Sequence, residues 1–342
     1  MVAPSPGKYG GIEAFTASMA EETLASGGVD VRIVYRLRKG GKLTTNFTDG
    51  IAAHHVPWRM MRGLDWQYLK DLWWADIVNC HFPLVYATFP ARLLGKKLIV
   101  SMENRRLAAH GPQFGWGLRL AHLRWYISAF VAETWEGSVP WQGTSTVPAA
   151  SKLSDLEVAP EKRCGFFFIA RWVPLKGLEQ LLEAYASADI DHAVHPLILL
   201  GDGELREPME QQIDRLRIRS FVTAPGFVSH EEKCQAMAAA RWNIAPAAFP
   251  EDLGLSPIEA RACSVPSIVS RAGGLPEAGG QEALLCEPGD VPTLRRAIEE
   301  AAGMDEAAYR AKCLSCRESL ARYLPKVDFY ADAFKAMVKT SG

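Results

Sequence analysis

The sequence predicts an α/β protein made of two doubly wound halves, each with a parallel sheet. Three observations predict it. Short, nearly continuous apolar runs alternate with amphipathic helical patterns along the chain, as expected of parallel strands buried on both faces. A stretch rich in Gly, Pro, Ser and Thr interrupts the series near the middle, and a fresh strand–helix series follows it, the mark of a second α/β unit. The 342 residues suffice for two domains of ordinary size, each with a substantial core.

Taken in order, a short N-terminal strand leads into Gly10 and Gly11, and a helix starts near Ile12 with the pattern IEAFTASMAEETLAS. Strands follow at 29–37 (VDVRIVYRL), 75–80 (ADIVNC) and 96–102 (KKLIVSM). Residues 56–76, VPWRMMRGLDWQYLKDLWWAD, mix Trp, Met and Arg. That mixture suits a membrane interface or a grip on a lipid-linked acceptor, and equally well a core helix with exposed cations. Residues 136–162 read as an interdomain connection. Beyond it come strands at 165–170 (GFFFIA), 195–201 (HPLILLG), 242–246 (WNIAP) and 266–270 (PSIVS), with helical patterns GLEQLLEAYASA and REPMEQQIDRLR between them. The chain therefore divides into two Rossmann-like domains, 1–148 and 149–326. The last stretch, KVDFYADAFKAMVK, is amphipathic, and a helix within 327–342 is expected to pack back on the first domain.

Composition narrows the function. A net charge of −1 carries no basic excess, so long-range attraction to nucleic acid is not favoured. No apolar run approaches the roughly 20 residues that span a bilayer, and the start, MVAPSPGKYGG, lacks the pattern of a signal peptide. The seven cysteines are odd in number and scattered, which fits reduced thiols in a cytoplasmic chain, with the inner membrane face as a further location. Cys313 and Cys316 form one C-x-x-C with no second pair or nearby His to complete a zinc site.

Ligands of open α/β sheets bind outside the carboxyl ends of the strands, and four stretches fall there. Gly10 and Gly11 precede a helix whose free N–H groups suit an anion; they also fit an ordinary tight turn. Arg171 and Lys176 lie between a strand and a helix and suit a diphosphate, one as a fork and one as a point charge; they also read as two solvated surface cations. Gly201 and Gly203 flank Asp202, but Arg206 breaks a full G-x-G-x-x-G, so a nicotinamide site is poorly supported. In FPEDLGLSPIEA, Leu253, Gly254 and Leu255 present backbone N–H groups to a phosphate near a helix start. Glu259, one turn inside, suits a ribose diol, and Glu251, across the loop, a second sugar; the same stretch also reads as a plain connection.

In their order and placement these pieces resemble the retaining glycosyltransferases of family 4, whose GT-B fold has two Rossmann-like domains with parallel sheets facing a central cleft. The matching residues are R-x4-K at Arg171 and Lys176, G-D-G from Gly201 to Gly203, PGFVS from Pro225 to Ser229, E-x7-E at Glu251 and Glu259, and GGLPE from Gly273 to Glu277. GGIEAF, starting at Gly10, matches the family's N-terminal glycine loop more loosely. The resemblance implies a nucleotide-sugar donor held mainly by the C-terminal domain. Arg171 and Lys176 would neutralise the leaving diphosphate, Glu251 would contact the transferred sugar and Glu259 the ribose. The backbone from Gly226 to Val228 would border the base, and Gly11 would approach the β-phosphate. The acceptor would be a sugar or a lipid-linked sugar, and the setting bacterial surface polysaccharide or glycolipid assembly.

Two features depart from that pattern or compete with it. Where the family often has a histidine facing the acceptor, this chain has Glu103, with His81 and His110 as neighbouring alternatives. The D-x-D of Asp189 to Asp191 matches a metal-dependent transferase fold, but it lies away from any strand carboxyl end. With two cations available for the diphosphate, no metal and no other cofactor is expected. A nucleotide-sugar epimerase and a catalytically silent sugar-nucleotide-binding subunit are the competing functions. Donor consumption without an acceptor marks the first, and absence of donor hydrolysis the second.

Overall fold

The computed structural model describes residues 1–4, 11–37, 50–57, 66–137, 153, 156, 158–323 and 328–339. The chain forms two compact units, Met1–Pro148 with Pro325–Gly342, and Ala149–Leu324.

The first unit carries strands β1 (Val2–Pro4), β2 (Arg32–Leu37), β3 (Ala52–Pro57), β4 (Ile77–His81), β5 (Lys97–Met102) and β6 (Leu123–Tyr126). Helices α1 (Gly11–Ala25), α2 (Trp66–Trp74), α3 (Val85–Leu93), α4 (Pro112–Arg119) and α5 (Ala129–Glu136) connect or follow them. All pairings are parallel, in the order β3-β2-β1-β4-β5-β6. Both faces are buried: Val34, Leu98 and Val100 join one apolar cluster, while Ile33 and Tyr35 join a second and Ile99 a third. Side chains alternate across a strand, so burial of both faces demands an unbroken apolar run.

The second unit repeats the plan with β7 (Cys164–Ile169), β8 (Leu197–Leu200), β9 (Val222–Gly226), β10 (Ala240–Ala245), β11 (Ser267–Ser270) and β12 (Leu284–Cys286). Its helices are α6 (Leu178–Ser187), α7 (Arg206–Arg215), α8 (His230–Ala239), α9 (Leu255–Ala262), α10 (Leu275–Gly279), α11 (Val291–Ala302) and α12 (Glu306–Ser319). The sheet order is β12-β11-β10-β7-β8-β9. Each unit thus winds outward from its first strand, returns, and winds the other way. The order reverses between β1 and β4 in one unit and between β7 and β10 in the other. The crevice at such a reversal, at the carboxyl ends of the strands, is where this architecture binds ligands.

The expected α/β architecture with two Rossmann-like halves is the one found. Strands β3, β6, β9 and β12 are not among the apolar runs read from the sequence, and all four lie at sheet edges. An edge strand is half solvated, so it needs no continuous apolar run; β3 reads AAHHVP and β6 reads LRWY. Most of the connection at 136–162 lies outside the described residues. The last helix, α13 (Phe329–Lys339), packs on the first unit, where Trp125 meets the rings of Phe329, Tyr330 and Phe334 at 6.0, 5.6 and 5.9 Å.

Candidate functional site

The reversal between β7 and β10 gathers charge. After β7 the chain runs through Arg171 and Lys176 to Gly177, which caps α6 with φ 79°. A Cβ on Gly177 would collide with the Pro246 carbonyl, just past β10, so this loop presses against the neighbouring strand end. The Ala248 N–H donates to the Leu175 carbonyl at 2.8 Å, and Leu175 itself is left-handed at φ 71°, a strain that only fixed surroundings maintain. Lys176 is thereby aimed at the loop after β10. Its Nζ donates to Glu251 Oε1 and lies 5.3 Å from the Phe249 ring centre. The two side chains are 21% and 20% exposed, so the pair remains open to solvent. Arg171 is exposed, and no ion-pair partner for it is found among the described residues.

Glu251 is fixed from its other side. It bridges to Gly273, and the Gly274 N–H donates to the Glu251 carbonyl at 2.8 Å. The turn after β11 therefore braces the loop after β10. Within that loop Leu253 is buried, Gly254 caps α9 and packs on Leu275, and Leu255 opens the helix, half out in solvent.

Glu259 lies one turn into α9, almost buried, with Oε1 2.9 Å from Lys233 Nζ. Lys233 is a residue the sequence reading missed. It sits near the start of α8, whose N-cap Ser229 forms a capping box with Glu232. A cation there opposes the helix dipole, and that mismatch is the signal that could have flagged it. Among the described residues the second unit thus holds two lysine–carboxylate pairs, Lys176–Glu251 and Lys233–Glu259.

The remaining glycines serve packing around this edge. Gly201 has φ 109°, and a Cβ there would collide with the Ala170 carbonyl; a Cβ on Gly203 would collide with the backbone of Trp172. The Trp172 N–H donates to the Asp202 carbonyl at 2.9 Å. The G-D-G turn therefore buttresses the segment that carries Arg171. Gly226 ends β9; two residues before it the Ala224 carbonyl accepts from Arg206 at 2.9 Å, and Val228 is half-buried two residues further on.

In the first unit Gly10 lies outside the described residues, and Gly11 is the first residue of α1. Glu103 follows β5 and is buried, with Oε1 2.7 Å from Nδ1 of His81, the fully buried last residue of β4. The two residues weighed as alternatives from the sequence are partners. The other Glu103 oxygen, Oε2, is buried and has no hydrogen-bond partner among the described residues. His110 is not part of this pair; it stacks on Trp135 with ring centres 5.4 Å apart.

The decoys resolve simply. Asp189 to Asp191 follow α6 and precede β8, at the amino end of the sheet, where Asp191 accepts from the Ala193 N–H. Among the described residues no group of His, Cys, Asp and Glu is arranged to hold a metal ion. Cys313 and Cys316 are both buried on α12 and unbridged, and burial raises both thiols above the usual range.

The elements that hold Lys176, Lys233, Glu251 and Glu259 all fall within one stretch of the chain. Residues 152–313 match the family of glycosyl transferases group 1. The chain is similar to O-antigen chain mannosyltransferase B of Escherichia coli, 32% identical over 129 residues, or 37% of this chain and 34% of that protein. It is also similar to MMP alpha-(1->4)-mannosyltransferase of Mycolicibacterium hassiacum, 36% identical over 125 residues, or 36% of this chain and 30% of that one. The match thus spans about a third of either relative. Among solved structures, Anabaena HepE in complex with UDP shares the GT-B fold, with a TM-score of 0.74, 99% of both chains covered and 18% identity.

Proposed function

We propose that this protein is a retaining glycosyltransferase that moves a hexose from a nucleotide-diphosphate sugar to a hydroxyl of a sugar or lipid-linked sugar acceptor. The observation that carries the reading is the Lys176–Glu251 pair at the β7–β10 reversal, in the loop that also carries exposed Arg171, within the residues matched by the group 1 family. Two cations beside a carboxylate suit a substrate with an anionic leaving group on one side and a hydroxylated ring on the other.

In this reading the donor diphosphate displaces Lys176 from Glu251. Lys176 and Arg171 then stabilise the charge that grows on the diphosphate as the bond from the anomeric carbon to its oxygen breaks. The acceptor oxygen bonds to the anomeric carbon on the same face, and its proton passes to the departing phosphate, so no protein base is required. Glu251, released from Lys176, accepts hydrogen bonds from the hexose. Glu259, held in place by Lys233, accepts from the ribose. The cations do the work a divalent metal does elsewhere, so the transfer is metal-independent. The O-antigen relative supports a place in surface polysaccharide assembly.

A panel of nucleotide sugars that varies base and hexose, read by thermal shift and then by nucleoside diphosphate release, tests the proposal. The expected result is one preferred donor, with transfer to a sugar acceptor and retention seen in the anomeric NMR signal of the product. A panel that produces neither a shift nor diphosphate release would refute it.

A further inference from the structure

We infer that the first unit docks on the surface of an anionic phospholipid membrane through the outer stripe of α2 and the adjoining face of α3. Three of the ten tryptophans lie in the nine-residue helix α2. The inner side of that helix is spoken for, since Tyr68, Asp71 and Leu72 are buried. Trp66, Lys70 and Trp73, spaced four and three residues apart, share the outer side. Trp66 is 71% exposed and Trp73 72%, and Lys70 Nζ lies 5.9 Å from the Trp66 ring centre. Trp74, 40% exposed, stacks under the Arg32 guanidinium at 3.9 Å.

The patch continues onto α3. Phe89 and Leu93, one turn apart, are exposed, while Ala87, Thr88 and Ala91 on the other side are buried. Lys96, three residues past Leu93, donates from Nζ to the Trp73 carbonyl at 2.8 Å, which ties the end of α3 to the end of α2. Contiguous apolar exposure of this kind marks a contact surface rather than ordinary scatter.

Charge selects the partner. Across residues 66–97 the cations are Lys70, Arg92, Lys96 and Lys97, while the acids are Asp76, which is exposed, and Asp71, which is buried against Arg32 and His54. A protein interface is depleted of lysine at its core. Tryptophan interleaved with lysine is instead the composition of a helix lying in a lipid headgroup layer, with the rings at the acyl boundary and the cations among anionic headgroups. Among the described residues no helix is long and apolar enough to cross a membrane, so the contact is superficial. The part of the patch formed by Trp73, Trp74, Leu93 and Lys96 lies where α2 and α3 lead into the amino ends of β4 and β5, the end of the sheet opposite His81 and Glu103.

The test is flotation of the full chain with vesicles of phosphatidylcholine alone or mixed with phosphatidylglycerol, at low and high salt. The expected result is binding to the mixed vesicles that weakens with salt. Trp66→Ser/Trp73→Ser should lower partitioning roughly tenfold or more, and Phe89→Ser/Leu93→Ser should lower it as well. Lys70→Glu/Lys96→Glu should remove the preference for anionic lipid. Circular dichroism and the donor-induced thermal shift should stay as in the wild type, which keeps this outcome separate from that of the transferase reading. Absence of wild-type binding, or equal binding by the tryptophan variant, would overturn the assignment. So would a wild-type dimer that the tryptophan variant abolishes without any vesicle binding, because the patch would then face a second copy.

Discussion

Replacing Lys176 by Met separates a catalytic role from a structural one. The Lys176–Glu251 pair is about four-fifths buried on each side. Removing the cation leaves the Glu251 carboxylate with its neighbour gone but with some access to water. A fully exposed pair is worth roughly 0–1 kcal/mol and a broken buried one about 3–5 kcal/mol, so a stability loss of about 1–2 kcal/mol is expected here. The effect on transfer should be larger. A preorganised charge that meets developing negative charge contributes about 2–4 kcal/mol, so kcat should fall roughly 30- to 1,000-fold at saturating donor. The double variant Lys176→Met/Glu251→Gln discriminates between the roles. It removes the stranded carboxylate and should recover much of the lost stability, while transfer stays low because the diphosphate still lacks its cation. Thermal unfolding and steady-state kinetics on the four proteins of this cycle give both numbers. Near-normal kcat in the single variant, or recovery of activity together with stability in the double variant, would refute the assignment.

Four further outcomes are expected. Glu259→Ala should weaken binding of the nucleoside diphosphate and of the whole donor alike, by about tenfold or more in calorimetry, whereas Glu251→Ala should lower transfer without weakening nucleoside diphosphate binding. Parallel losses in both variants would reduce the two carboxylates to loop braces. Activity should persist in EDTA; its abolition with rescue by Mg²⁺ or Mn²⁺ would revive a metal mechanism. Gly201→Ala should destabilise the second unit by at least about 2 kcal/mol in urea unfolding, since its new Cβ meets the Ala170 carbonyl, while Gly27→Ala, with φ 72° and open space, should cost about 1 kcal/mol. Mild thiol labelling at pH 8 should mark Cys164, the exposed cysteine, and spare the folded core, where burial pushes Cys80, Cys263 and Cys286 up to about 12.

Much of this protein was written locally. The runs GFFFI and KLIVSM declare strands buried on both faces, because alternate side chains must both avoid water. Edge strands such as AAHHVP escape notice for the converse reason, since one flank meets solvent. Arg171, Lys176, Glu251 and Glu259 were visible as residues at strand ends, because strand-to-helix turns in this architecture are short and their positions follow from the strands. What no local pattern contained was the pairing. That Lys176 meets Glu251, 75 positions away in sequence, depends on β7 lying next to β10, and that adjacency comes from the return of the chain across the sheet. Lys233 reaching Glu259 and Glu103 closing on His81 have the same origin. Sequence periodicity reports which face of an element is buried; only the assembled sheet decides which strand ends become neighbours, and charge pairing acts over a few ångströms between groups that the fold alone brings together.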